Sequence, residues 1–163
     1  MLVRVGGRWV SLDARLPPVL FVEALREGRL AEFLLPASAH REVRAHHCRL
    51  DVRLEGPTGR CWVQTKSVTL VEERTALFPD AVTVRGRHHV EVLQHMVARG
   101  ERAALVFVVQ RDDAIDFRPH ERSDPAFCRA VRQAAAAGVG VYAYTCRVTE
   151  AHIAIAGAIP VLL

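Results

Sequence analysis

The chain has 163 residues and a mass of 18.1 kDa; half of its residues are apolar, a quarter are charged, and the formal net charge is +4. This composition excludes wholesale disorder and predicts one domain, while the mildly basic balance permits a polyanionic partner such as nucleic acid without requiring one. Four widely spaced cysteines, together with the lack of a bilayer-length apolar run, predict a reduced cytoplasmic protein with no disulfide framework, zinc site or membrane partner.

The first 35 residues are expected to form a hairpin and a helix that lead into a core at 36–163, all within a single nuclease-like domain. Residues 2–5 and 8–12 alternate in polarity around Gly6-Gly7, which is a two-residue hairpin signal. Pro17-Pro18 then opens a helix that the apolar spacing extends to about Leu30. A loop is predicted at 31–40.

A second group of strands is predicted at 41–45, 49–55 and 61–70, and Gly56-Pro57-Thr58-Gly59 makes the tight connection between the last two. A loop around 78–80 follows. Residues 87–99 have the spacing of an amphipathic helix, with Gly100 in the position of a C-cap.

The remaining pattern completes an α/β fold. Residues 103–110 are almost wholly apolar, as expected of a central strand buried on both faces. Asp124-Pro125 starts a helix that ends at Gly138, residues 139–148 form a strand, and 153–163 form an edge strand limited by Pro160. The order of elements predicts a mixed β-sheet flanked by helices.

Only one of the 22 basic residues is a lysine, and it is Lys66. In a chain that otherwise uses arginine for positive charge, a retained lysine is expected where a compact ammonium on a flexible stem is needed. Chance survival of one lysine is the alternative. The neighbours of Lys66 favour the first interpretation.

Strand periodicity brings three polar residues together. If Leu50, Val52 and Leu54 share one face of their strand, Asp51 lies on the other face. In the next strand Gln64 and Lys66 share a side, so a hairpin would place Asp51 across from both.

This set of groups suits metal-assisted phosphodiester cleavage. Oxygens of Asp51, Gln64 and Glu42 would bind Mg²⁺, and Lys66 would orient water and add positive charge near the attacked phosphate. The expected catalytic residues are therefore Lys66, Asp51 and Gln64. An ordinary polar sheet face is the alternative that periodicity alone favours.

Several stretches resemble the sugar fermentation stimulation protein (SfsA) family. They include Gly-Gly-Arg-Trp-Val-Ser-Leu-Asp at 6–13, Thr-Lys-Ser-Val-Thr-Leu-Val at 65–71, Leu-Phe-Pro-Asp-Ala-Val at 77–82, Arg85-Gly86 with His89, and Ile-Pro-Val-Leu-Leu at 159–163. The resemblance spans nearly the whole chain. It implies a restriction-endonuclease-like core of the PD-(D/E)xK type, with Glu42, Asp51 and Lys66 in the family's catalytic set.

The chain departs from the family pattern at three points. Gln64 stands where the family usually has glutamate, which gives a degenerate Gln-x-Lys motif with one negative charge fewer. Val84 replaces a second family glutamate. The resemblance also implies an N-terminal OB-like domain that would precede Met1, and either truncation or loss would account for its absence.

Arginines are expected to hold nucleic acid. Arg49 and Arg53 lie on the polar side of their predicted strand, and Arg85 and Arg87 lie near the start of a predicted helix. A cation there opposes the helix dipole unless an anion such as a backbone phosphate binds.

These observations lead to two hypotheses and a fallback. The first is a DNA-binding protein with a Mg²⁺-dependent nuclease-like site for DNA or RNA. The alternative is a non-catalytic DNA-binding regulator of sugar (maltose) metabolism, in keeping with the lost carboxylates. A remnant without activity is the third. The sequence leaves the oligomeric state open.

Overall fold

A computed structural model describes residues 1–33, 36 and 38–163. The chain alternates between strands and helices over its whole described length. The elements are β1 Leu2–Val5, β2 Arg8–Ser11, α1 Pro17–Arg26, β3 Ser38–Ala45, β4 Cys48–Gly56, β5 Gly59–Val68, β6 Leu70–Glu72, β7 Thr75–Phe78, α2 Val84–Ala98, β8 Arg102–Val109, β9 Asp116–Pro119, α3 Pro125–Ala136, β10 Gly140–Val148 and β11 Ile153–Ile159.

The main sheet has six strands in the order β11-β10-β8-β5-β4-β3. Its central strands β5, β8 and β10 are parallel, and the antiparallel strands β4, β3 and β11 extend it on both sides. Residues 103–109 of β8 are all buried, because helices cover both faces of the parallel centre. The prediction of a mixed sheet flanked by helices is confirmed.

Two apolar clusters lie on opposite faces of this sheet. One cluster joins α1 to Val63, Val106 and their neighbours, and we call it the α1 face. The other joins α2 and α3 to Trp62, Phe107 and their neighbours, and we call it the α2–α3 face. None of the helices in the described part of the chain combines the length and the apolarity needed to cross a bilayer.

Two predicted helix boundaries are wrong. The first helix ends at Arg26 and not near Leu30, because Gly28 takes φ 68° and its N–H bonds to the carbonyl of Leu25. The second helix begins at Val84, three residues before the predicted start, because the Thr83 hydroxyl accepts the N–H of Gly86 as an N-cap.

The loop predicted at 31–40 is shorter than expected. Strand β3 already begins at Ser38. Positions 34, 35 and 37 of the predicted loop lie outside the described residues.

A three-stranded sheet, β6-β7-β9, was not expected from the sequence. The strand predicted at 61–70 stops at Val68, and β6 starts a separate hairpin at Leu70. Its turn residues Glu73 and Arg74 both take positive φ, at 46° and 69°. Because that turn lacks the usual glycine or asparagine, the sequence carried no hairpin signal.

The β3–β4 hairpin changes faces partway along its length. Val52 and Leu54 pack in the α1 face, but Leu50 packs in the α2–α3 face together with its cross-strand partner Val43. The prediction that Leu50 shares a face with Val52 is therefore wrong. The switch occurs at the pair Glu42 and Asp51, where Glu42 has φ 52° and the β4–β5 ladder ends.

Candidate functional site

An open cleft of about 880 Å³ lies beside the second half of β5. Four segments enclose it: residues 64–69 of β5 and its exit, residues 12–18 from β2 into the first turn of α1, residues 41–42 of β3, and residues 78–89 from the end of β7 into α2. Asp51 contributes from β4. The cleft thus forms where β4 and β5 part and where the following helix begins.

The Asp51 side chain replaces a backbone hydrogen bond at the point where β4 separates from β5. The ladder runs from Gly56 opposite Gly59 to Val52 opposite Val63. Beyond it, Oδ2 of Asp51 accepts the backbone N–H of Thr65 at 2.9 Å, the Thr65 hydroxyl at 2.5 Å and Nε2 of Gln64 at 2.9 Å. All the hydrogen bonds of this carboxylate within the described chain end on Oδ2, so Oδ1 is left for another ligand.

Gln64 is 4% exposed, and its neighbours fix which way its amide points. Nε2 donates to Asp51 Oδ2 and, at 3.2 Å, to the carbonyl oxygen of Thr65. Both partners are acceptors, so the nitrogen must face them. Oε1 is buried and has no hydrogen-bond partner among the described residues. A buried carbonyl oxygen without a partner is uncommon and points to an unmet ligand.

Lys66 projects from β5 toward α2. Its Nζ lies 3.0 Å from Nδ1 of His89. Burial, assisted by the charge of nearby Arg85, lowers the pKa of Lys66 to about 8, although the Asp51 carboxylate opposes the shift. Burial also lowers the pKa of His89 to about 4, assisted by the charges of Lys66 and Arg85. At neutral pH the imidazole is therefore neutral.

Glu42 is a second carboxylate on the wall of the cleft. It occupies the β3 position opposite Asp51, between the pairs Arg41–Val52 and Val43–Leu50. Its φ of 52° is a conformation that glutamate rarely takes, and such strain concentrates at functional positions. The side chain is 72% exposed, with Arg49 Nη1 at 4.0 Å.

The start of α2 is shaped by Thr83 and Gly86. A Cβ on Gly86 would lie 2.6 Å from the Thr83 hydroxyl oxygen, so only glycine lets this cap form. Asp124, the N-cap of α3, accepts the N–H of Thr83 at 2.8 Å and ties the two helix starts together. This arrangement holds Arg85 and His89 along the cleft.

Gln110 fixes the opposite wall. This fully buried side chain donates to the Ser67 hydroxyl at 2.7 Å and to the carbonyl oxygen of Asp13 at 2.9 Å. It thereby ties the residue after Lys66 to the segment between β2 and α1. Arg15 on that segment is oriented by two hydrogen bonds to the Asp13 carboxylate.

The arginines expected to bind nucleic acid are divided by the fold. Arg85 lines the cleft and is exposed. Arg49 is exposed and lies 4.0 Å from Glu42, but it does not itself line the cleft. Arg53 instead lies over the Trp62 ring and pairs with Glu55, and Arg87 lies 3.8 Å from Glu91; neither lines the cleft.

Several cleft residues had no assigned role in the sequence interpretation. Thr65, Arg15 and Arg41 line the cleft, as does His89, which was noted only as part of the family resemblance. For Arg41, the one available signal in the sequence was its position next to Glu42. Nothing in the sequence links His89 to Lys66, since 23 positions and a helix separate them.

The cleft joins oxygen ligands to cations. Asp51, Glu42 and Gln64 Oε1 supply hard oxygen donors, and Lys66 and Arg85 supply positive charge. The described residues contain no cluster of three His, Cys, Asp or Glu side chains placed to bind one metal ion. Any metal held here would therefore depend on the glutamine oxygen or on ligands from a substrate.

The fold and the cleft together define a mixed α/β domain that carries an acid, an amide and a lysine on neighbouring strands. Comparison with known proteins shows to which family this domain belongs. A family profile described as "Sugar fermentation stimulation protein RE domain" matches residues 15–152. The chain belongs to the sugar fermentation stimulation protein (SfsA) family, which confirms the resemblance found in the sequence.

Relatives agree over almost the whole chain. A "Sugar fermentation stimulation protein homolog" of Moorella thermoacetica is 45% identical over 164 residues, covering 100% of this chain and 71% of the relative. A homolog of Geobacter sulfurreducens is 44% identical over 162 residues, covering 99% of this chain and 69% of the relative. The relatives are thus longer than this chain.

A solved structure has the same fold. It is the structure of Pyrococcus furiosus SfsA in complex with Ca²⁺, and it superimposes with a TM-score of 0.89 at 29% identity. The match covers 97% of this chain and 69% of that chain.

Proposed function

We propose that this chain is a restriction-endonuclease-type domain that binds nucleic acid in the cleft and cleaves phosphodiester bonds with a divalent metal ion. One observation carries the proposal. Asp51, Gln64 and Lys66 line one open cleft together with the cationic Arg85, and the buried Oε1 of Gln64 has no hydrogen-bond partner among the described residues.

The chain offers oxygen ligands that fit a hard divalent cation. Asp51 and Gln64 would hold it, and Glu42 is the third candidate ligand across the β3–β4 pair. The structure of the Pyrococcus relative is a complex with Ca²⁺, and Mg²⁺ also prefers oxygen donors. When bound, the cation would neutralise charge on the phosphate.

Lys66 is proposed to stabilise the attacked phosphate. With a pKa near 8 it is mostly protonated at neutral pH, and it can donate to a phosphate oxygen or to the attacking water. The Asp51 carboxylate keeps the ammonium charged against the cost of burial. A guanidinium is broader and holds its donors in a fixed plane, so an arginine would not present the same compact charge.

Arg85 and Arg41 are proposed to hold the phosphate backbone, since both are exposed and line the cleft. Arg49, which is exposed 4.0 Å from the cleft residue Glu42, is a third candidate. Contacts of this kind position nucleic acid without reading its sequence. Arg53 lies over the Trp62 ring with its side chain 25% exposed, and Arg87 does not line the cleft, which leaves both less available for this role.

A cleavage assay tests the proposal. Supercoiled plasmid, single-stranded DNA and single-stranded RNA would be incubated with Mg²⁺ or Mn²⁺, using wild type, Asp51→Ala, Lys66→Ala and the control Arg87→Gln. We expect metal-dependent cutting that falls at least about 100-fold in both alanine variants and survives in the control. Equal cutting by wild type and both alanine variants would contradict the proposal.

A charge-restoring variant sharpens the metal assignment. Gln64→Glu adds a carboxylate at the position of the orphaned oxygen, so divalent-ion affinity should rise about tenfold or more. Isothermal titration with Mn²⁺ would measure it. Unchanged affinity would remove Gln64 from the ligand set.

The alternative is a non-catalytic DNA-binding regulator of sugar metabolism. The amide of Gln64 favours it, because Nε2 donates to Asp51 and the site holds one negative charge fewer than the family pattern. Salt-sensitive DNA binding by wild type, without cutting under any metal, would support this function over cleavage.

A further inference from the structure

We propose that His89 is the positioning residue for Lys66: its Nδ1 holds the Lys66 ammonium in the orientation that the cleft uses. The inference rests on the proposed function in assuming that Lys66 acts on a phosphate. The contact itself stands on geometry and can be tested without any activity.

The contact is short and sheltered. Nζ of Lys66 and Nδ1 of His89 are 3.0 Å apart, and His89 is 5% exposed. Lysine has a four-carbon stem with many rotamers, so a fixed partner decides where its ammonium lies. Both residues line the same cleft.

The chemistry of the pair fixes the direction of the hydrogen bond. An ammonium has donors only, so it must donate to the lone pair of Nδ1. The imidazole must then be neutral and carry its hydrogen on Nε2. Burial beside the positive charges of Lys66 and Arg85 keeps it neutral, in agreement with a pKa lowered to about 4.

This arrangement divides the donors of the ammonium. One N–H goes to His89, and two remain for a phosphate oxygen or water in the cleft. His89 also links Lys66 to α2, the helix that carries Arg85. The lysine and the arginine thus keep a fixed relation across the cleft.

The single lysine of the chain makes a direct test possible. Protein grown on lysine labelled with the heavy nitrogen isotope gives one side-chain signal, correlated from the Hε protons to Nζ. His89→Leu removes the acceptor, and His89→Asn places an amide oxygen near the position of Nδ1. The control is His88→Asn, the same change on the neighbouring exposed residue of α2.

We expect the Nζ signal to move in His89→Leu, to return toward the wild-type position in His89→Asn and to stay unchanged in His88→Asn. Circular dichroism would establish that each variant is folded. An Nζ signal that is the same in wild type and folded His89→Leu would overturn the inference.

Kinetics separate positioning from mere packing. His89→Leu should lower kcat for cleavage about tenfold or more while KM for DNA stays nearly constant, and His89→Asn should recover part of the loss. A loss confined to KM, or no recovery by asparagine, would contradict a positioning role. If wild type does not cleave, the proposed function fails, and the lysine spectra still decide the role of His89.

Discussion

The two faces of the central sheet use the same strands in opposite ways. The α1 face is an apolar cluster in which β5 and β8 contribute residues such as Val63 and Val106. On the α2–α3 face, alternate positions of β5 read Trp62, Gln64, Lys66 and Val68, so an amide and an ammonium interrupt the apolar layer.

The difference shows what a buried polar site requires of its surroundings. On the α1 face most side chains contribute through shape and volume, and Tyr144 adds a hydrogen bond from its hydroxyl to Glu32. On the α2–α3 face each of these polar groups depends on a specific hydrogen-bond partner: Gln64 on Asp51, and Lys66 on His89. Substitutions should therefore cost packing on one face and leave polar groups unpaired on the other.

The largest effect on stability is expected on the α1 face. Phe21 is fully buried and meets Phe33 edge-on with ring centroids 5.1 Å apart. Phe21→Ala should lower the free energy of unfolding by about 3–5 kcal/mol, because it leaves a cavity. Urea unfolding measures this, and a cost below about 1 kcal/mol would mean that this face is loosely packed.

The next effect concerns Asp51. Asp51→Ala leaves the N–H and hydroxyl of Thr65 without their acceptor, which should cost about 1–3 kcal/mol in the free energy of unfolding. Asp51→Asn keeps an oxygen acceptor and should cost less. The matched control Glu42→Gln changes an exposed carboxylate of the same cleft and should change stability little; an equal cost in the control would refute this account.

A pH effect distinguishes the two faces further. The pKa of His89 is lowered from 6.5 to about 4, so between these values the unfolded chain binds a proton that the folded chain does not. Stability should therefore fall as pH falls through this window, by about 1–2 kcal/mol between pH ~6.5 and ~5. Urea unfolding of wild type and His89→Leu measures the difference, and parallel pH profiles would count against the buried neutral imidazole.

The smallest effect is expected at the surface of α2. Arg87 and Glu91 are half exposed and 3.8 Å apart, so Arg87→Gln should change the free energy of unfolding by less than about 1 kcal/mol.

The two arginines should differ in DNA binding. Arg85→Gln should weaken DNA binding and reduce its salt dependence by about one phosphate contact, whereas Arg87→Gln should not. Fluorescence anisotropy at several salt concentrations compares the two; equal slopes would show that the cleft arginine has no special role.

The sheet was largely predictable because local sequence patterns, such as apolar runs and turn residues, determine its central elements. Apolar residues 103–109 specified a central strand, and the Gly6-Gly7 and Asp124-Pro125 signals specified a hairpin and a helix start, as the structure confirms. The β6–β7 hairpin was missed because Glu73 and Arg74 take positive φ in a turn that has no glycine or asparagine to mark it in the sequence.

The site was predictable only in part. Periodicity correctly brought Asp51 toward Gln64, although the regular alternation on which it relied fails at Leu50. The neighbouring position of Lys66 and His89 depends on how α2 packs against β5. No periodic pattern encodes that packing, because it joins a strand to a helix across a long connection.

The β3–β4 hairpin has a consequence for how this domain unfolds. Its base is part of the α1 face and its tip is part of the α2–α3 face, with Glu42 and Asp51 at the crossing. Because this hairpin packs in both apolar layers, unfolding of one layer removes packing contacts from the other, and the two layers should unfold together. The domain should therefore lose its structure in one cooperative step, with the cleft at the place where the two halves are joined.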